Sequence, residues 1–235
     1  MPVEVNIQSV VDRYAKALEV PRLLFELYPK PRPQGAMPKQ YRPLAAAICL
    51  SVIGTFEGFA EDLLAAALYK EGYGWAHIAQ NADLTNPSVK ALRDKLVHTV
   101  TIDPDPKGDW STPLHQQTSL SGWYEKKVTW KELLTRAEGW IQVRHCLSHG
   151  LTTGLGPEVW PGPAHKKAAN RLDTIAAAKD VLARTQSPNK NALQFWSAVE
   201  CARIFSVGAA VIANAVADRF GEEISTTALQ RFKDV

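Results

Sequence analysis

The sequence predicts an all-α fold: one domain over residues 1–235, a bundle of about five to six helices with long loop insertions. Three observations carry that expectation. Apolar residues recur at helical spacing through nearly every stretch between clusters of Gly and Pro. No β alternation of any length, internal repeat or low-complexity tract is visible. The 235 residues are 46% hydrophobic and 22% charged, enough apolar mass for a sizeable core and too little charge for disorder.

The first helix is expected over about residues 5–28, where Val10, Val11, Tyr14, Leu18, Leu23, Leu24 and Leu27 fall at helical spacing and Pro21 kinks or divides the run. Residues 29–43 are Pro-rich and read as a loop. Pro43 suits the first turn of a long helix over 43–70. Gly54 and Gly58 cost roughly 1 kcal/mol each inside it, and their i,i+4 spacing predicts close approach of a neighbouring helix or a partner chain. Asn86-Pro87 reads as the cap and first turn of a helix over 87–99. Residues 101–127, with Asp103-Pro104-Asp105-Pro106 and Ser111-Thr112-Pro113, read as one long irregular stretch. Thr129 and Glu132 form a capping box before a helix over 130–149, in which Leu133, Leu134, Ala137, Trp140, Ile141, Val143 and Cys146 repeat and which Gly150 is placed to end. Residues 151–163 are again a loop. Helices over 164–184 and 189–220 complete the bundle, the last opened by Ser187-Pro188-Asn189.

Charge and cysteine usage narrow the function. The formal net charge of +3 permits a nucleic-acid partner without demanding one. Basic residues gather at Lys30, Arg32, Lys39 and Arg42, and again at His165, Lys166, Lys167 and Arg171, as solvated faces or as phosphate-facing patches. The three cysteines, Cys49, Cys146 and Cys201, are odd in number, far apart and without a CxxC, which argues against a disulfide scaffold or a cysteine zinc site and fits a reducing cytoplasm. The first residues show no basic start before an apolar stretch, so no signal peptide is expected. The apolar runs at 44–56 and 204–217 fall short of the ~20 residues of a membrane span and are expected to be core helices, with no membrane partner. Of seven tryptophans, Trp75, Trp110, Trp123 and Trp160 fall in loops or short elements, for packing or for stacking on bases.

The run Arg144-His145-Cys146-Leu147-Ser148-His149-Gly150 closes a helix and concentrates titratable chemistry. Three readings are open. Helix-end Arg and His complement the macrodipole and bond the last carbonyls. His145 and His149, one turn apart, can hold a metal, but the glutamate of His-Glu-x-x-His is replaced by Cys146, and Cys146, His115 and Asp103 are not at a diagnostic spacing for a third ligand. Finally, an arginine and a histidine are the minimal set for cleaving a phosphodiester without a metal. Arg144 and His149 lie roughly 140° apart around an ideal helix. They converge only if the helix unwinds at His149 or a second copy supplies the opposite wall across a two-fold axis.

Arg-x4-His at a helix end, followed by Gly in an all-α chain, resembles the motif of the HEPN superfamily, many of whose members are RNases, often toxins of toxin–antitoxin or phage-defence systems. Phe56-Glu57-Gly58-Phe59-Ala60-Glu61-Asp62-Leu63-Leu64 is similar to a second helix found in several HEPN groups. The similarity covers about residues 45–64 and 130–150. The resemblance implies a HEPN-like bundle and a metal-independent endoribonuclease leaving 2′,3′-cyclic phosphate and 5′-hydroxyl ends. It implies no cofactor, and it implies RNA, a second copy of the chain and an antitoxin or defence protein as partners. The alternative is a non-catalytic module of the same type that binds RNA, a nucleotide or a protein. Arg144 would hold and stabilise the scissile phosphate. His149 would be the general acid or base at the RNA 2′-hydroxyl or the leaving 5′-oxygen. His145 stands where the family commonly has another polar residue, often Asn; it supplies a second proton-transfer group or only a polar position. Ser148 orients His149 or caps the helix end. Glu57 and Glu61 pair with Arg144, orient His149, or form a solvated stripe. Lys166, Lys167 and Arg171 are candidates for contacting RNA.

Overall fold

Two long helices organise the molecule. In a computed structural model that describes residues 5–28, 41–117, 123–148, 181, 185–187, 190–191, 193–230 and 232, α3 (Arg42–Lys70) and α7 (Phe195–Phe220) pack along one another. Ile48, Val52, Phe56 and Leu63 of α3 and Ala202, Phe205, Ala209 and Ile212 of α7 are buried, and Phe56 meets Phe205 edge-on at 5.0 Å. Each large apolar side chain so buried contributes about 1.5–3 kcal/mol. The helices are longer than the apolar runs within them: Pro43–Lys70 and Phe195–Phe220, 28 and 26 residues, are each long and apolar enough to cross a membrane by length and composition. In this structure they form the core.

Around that pair sit α1 (Ile7–Ala17), α2 (Glu19–Glu26), α4 (Trp75–Ala82), α5 (Val89–Val100) and α6 (Trp130–Ser148). α1, α2 and α4 pack on α3; α5 and α6 pack on each other and on both long helices. Asn6 caps α1 by accepting from the Ser9 N–H at 2.7 Å. The expected first helix is divided at Leu18, with Pro21 in the first turn of α2. Proline has no N–H for the carbonyl a turn earlier, so the break falls upstream of it.

Several expectations are corrected. Residues 75–82 form a helix that no periodicity in the sequence marks; only Ile78 and Ala82 bury, too short a stripe to announce it. Ser88, not Asn86, caps α5: its Oγ accepts from the Ala91 N–H at 3.0 Å, while Asn86 lies just ahead in the left-handed region at φ 51°. The stretch 101–127 is not irregular throughout. β1 (Ser111–Gln117) and β2 (Trp123–Thr129) pair antiparallel, from Ser111↔Thr129 to Gln117↔Trp123. Thr112, Leu114 and Val128 bury while Pro113 and Lys127 stay exposed, an alternation of two residues per strand interrupted by a proline. Gly54 and Gly58 are exposed, and a Cβ built on either meets nothing within 4 Å, so the predicted close approach is not made there among the described residues. The final helix starts at Phe195 rather than 189; β3 (Thr185–Ser187) and β4 (Lys190–Asn191) pair just before it. Of the expected loop at 29–43, residues 29–40 lie outside the described residues. So do the cap at Gly150, the loop at 151–163 and all of the expected helix over 164–184 except the helical Val181, Thr185 in β3 lying beyond its end.

The capping box is present, with the Thr129 Oγ1 accepting from the Glu132 N–H at 3.3 Å. β2 thus runs straight into α6. After α7, Glu222 accepts from the Ile7 N–H at 2.8 Å and pairs with Lys70, and buried Arg203 donates to the Phe232 carbonyl at 2.6 Å. These bonds fasten Glu222 and Phe232, beyond α7, to the bundle.

Candidate functional site

The site is built on the last turns of α6. Leu133, Ala137, Trp140, Val143 and Cys146 bury one stripe of that helix. Residues off the stripe are left toward the edge: Arg144 is half-buried, and His145 and Ser148 are exposed. Arg144, His145, Ile141 and Gln142 line a pocket of about 180 Å3 with Asn86, which comes from the α4–α5 connection.

Glu57 and Glu61 of α3 place that connection. The Asn86 N–H donates to Glu57 Oε1 at 2.9 Å, and the Leu84 N–H donates to Glu61 Oε1 at 3.4 Å. Neither carboxylate pairs with Arg144, as one reading of the sequence had it. They act on the opposite wall, holding the backbone that carries Asn86. Among the described residues the buried Asn86 Oδ1 has no hydrogen-bond partner.

The electrostatics turn on Arg144. Arg13 meets Asp62, Arg22 meets Glu26, Arg93 meets Asp94 and Asp105, Arg136 meets Glu132 and Glu200, Arg203 meets a carbonyl and Arg219 meets Glu71. Among the described side chains no acceptor meets the guanidinium of Arg144. A half-buried guanidinium without a counter-ion is an anion site, and its planar fork matches two oxygens of a phosphate or carboxylate.

The structure brings Arg144 and His145 into one pocket and ties Glu57 to it through Asn86. Ser148 Oγ donates back to the Arg144 carbonyl at 2.8 Å, a helix-end role. α6 stays helical through Ser148, so any unwinding starts at His149 or later. His149, Lys166, Lys167 and Arg171 lie outside the described residues. Asn86, Ile141 and Gln142 were not foreseen. Asn before Pro does mark a turn, but a turn does not say which helix it faces.

Among the described residues no group of three His, Cys, Asp or Glu is arranged to hold a metal. Asp103 accepts instead from the Asp105 N–H at 3.1 Å, and burial pushes the Cys146 thiol up to about 11. All three cysteines are buried. Trp110 packs edge-on against Trp130 at 5.6 Å, whereas Trp75 is 70% exposed. No family model, curated protein or solved structure matches this chain.

Proposed function

We propose that the protein is a metal-independent endoribonuclease of the HEPN type, with its catalytic centre at the end of α6. The observation that carries this reading is the half-buried guanidinium of Arg144, unpaired among the described residues, sharing a small pocket with the imidazole of His145. Arg144 binds the scissile phosphate and stabilises the charge that builds on it in the transition state. A histidine, His149 with His145 as the second group, takes the proton from the ribose 2′-hydroxyl. The 2′-oxygen bonds to phosphorus, the bond to the 5′-oxygen breaks, and that oxygen leaves with a proton. The products are a 2′,3′-cyclic phosphate and a 5′-hydroxyl. Atoms balance without a metal or an external reagent.

The spacing of Arg144 and His149 bears on assembly. With α6 helical through Ser148, a two-fold axis that sets two copies of the helix end face to face gives each phosphate an Arg144 from one copy and a histidine from the other. We propose such a homodimer, acting in a bacterial toxin–antitoxin or phage-defence setting.

The test is cleavage of single-stranded RNA or tRNA by the purified protein in EDTA. The wild type should cut and leave cyclic phosphate ends. Arg144→Ala should lower the rate by about 10²–10³, and His149→Ala by about 10²–10⁴. Cleavage that disappears with chelation, or that survives both substitutions, overturns the reading. RNA that is bound but never cut assigns the pocket to a non-catalytic module.

A further inference from the structure

α4 lies against α3, and the two helices border a groove of about 360 Å3 that is separate from the α6 pocket, Glu61 alone serving both by its bond to the Leu84 N–H. Its floor is apolar, from Ala65, Ile78 and Ala82. Its rim carries Trp75 and three carboxylates, Glu61, Asp62 and Asp83, with no basic side chain among the described lining residues. On a chain of formal net charge +3, this is a local reversal of sign.

Trp75 is held yet open. Its ring packs on Tyr69 at 5.5 Å with a 31° tilt, and the residue is still 70% exposed. Tyr69 and Tyr73 are exposed beside it, at 38% and 40%. An ordered, exposed indole is a platform for a base or for a cation. The carboxylates decide between them. A stacked nucleotide brings its phosphates toward Glu61 and Asp83, where like charges repel by ~1 kcal/mol per close pair even in water, and the Arg13 guanidinium beside the groove is already engaged by Asp62. A guanidinium is attracted to both the ring and the acids. Asp62 already holds one from within the chain: the Arg13 Nε lies 3.0 Å from its carboxylate. The Asp83 carboxylate has no such partner among the described residues.

We propose that the α3–α4 groove docks an arginine-bearing segment of a partner protein, with an arginine stacked on Trp75, its charged end at Asp83, and an adjacent apolar side chain on the Ala65–Ile78–Ala82 floor. This inference does not depend on the α6 pocket being catalytic.

The experiment uses the full chain with 15N-labelled tryptophan indoles, the Trp75 signal being identified by its loss in Trp75→Phe. Three probes are titrated: a short capped peptide with two arginines and a leucine, the same peptide with glutamates for arginines, and an oligouridylate. The arginine peptide should shift the Trp75 signal and bind more weakly as salt rises. Its affinity should fall at least ~5-fold in Trp75→Ala, in line with a cation–π contact, and fall further in Asp83→Lys. An arginine peptide that leaves the Trp75 signal in place overturns the proposal, as does a glutamate peptide that shifts it equally. Preferential shifting by the oligouridylate also overturns it and makes Trp75 a platform for RNA.

Discussion

Glu57 shapes the α6 pocket without lining it. Its carboxylate accepts the Asn86 N–H at 2.9 Å, and that bond helps hold Asn86 in the left-handed region at φ 51°, on the wall beside Arg144. A hydrogen bond to a charged acceptor contributes about 1.5–3 kcal/mol when its removal strands a partly buried donor. Glu57→Ala is therefore expected to lower stability by about 1.5 kcal/mol and to speed hydrogen exchange at the Asn86 amide. Glu57→Gln, which keeps an oxygen acceptor, should recover most of both. Equal exchange at Asn86 in all three proteins would remove Glu57 from this role. The residue-level lesson on legibility is specific. Arg144 and His145 were readable because their side-chain chemistry is rare and concentrated. The i,i+4 pair Glu57 and Glu61 was readable as a pair, but its partners were not, because they are backbone N–H groups, which every non-proline residue carries. Asn86 reads in the sequence as the cap of α5, a place Ser88 takes instead; that the α4–α5 connection faces α6 is a property of the packing alone.

Between elements, a close approach is made at Gly208, a glycine that no spacing in the sequence marks. A Cβ built on Gly208 of α7 falls 2.6 Å from Val89 Cγ1 and 2.7 Å from Val89 Cγ2, so the start of α5 sits directly on the backbone of α7. Ser88, next in line, caps α5 and also donates to Glu138 of α6, so one short segment joins three helices. Gly208→Ala forces the Val89 side chain or the α5 backbone aside and is expected to cost about 1–3 kcal/mol. Val89→Ala in the same chain restores the space, so the double variant should be more stable than the sum of the two single effects predicts, by about 1 kcal/mol in denaturant melts. Additive losses would mean that the two residues do not meet. The sequence pointed instead to Gly54 and Gly58, whose i,i+4 spacing is the usual mark of a close helix pair but where a built Cβ meets nothing within 4 Å among the described residues. The long helices were legible because each repeats its apolar spacing over many turns. α4 was not, because it buries only Ile78 and Ala82, and β1 was not, because a proline stands at the exposed position between its buried Thr112 and Leu114; patterns that short have no period to read.

Across the whole molecule, ion pairs join elements that are distant in sequence. Arg13 of α1 meets Asp62 of α3, Arg136 of α6 meets Glu200 of α7, and Arg219 of α7 meets Glu71 just beyond α3. Arg93 of α5 grips Asp105 with two bonds, Nε to Oδ1 at 2.9 Å and Nη2 to Oδ2 at 2.6 Å, and Trp130 at the start of α6 donates to the same carboxylate at 2.7 Å. The Asp105 carboxylate therefore ties α5, the 101–110 segment and α6 together. Its pKa is held below the usual carboxylate range, first by the Arg93 hydrogen bonds, against partial burial, with Trp130 adding to the effect. A carboxyl depressed in the folded state contributes stability above its unfolded pKa of about 3.9 and loses that contribution as pH falls through the folded value. Asp105→Asn keeps the shape and one acceptor but carries no charge. Its thermal midpoint is expected to lie below that of the wild type at pH 7, by an amount that is constant down to about pH 5. The gap should narrow below about pH 4 as the wild-type carboxyl takes up its proton, and the two curves should converge in stronger acid. A gap of the same size at pH 7 and in acid would show that Asp105 acts through packing rather than charge.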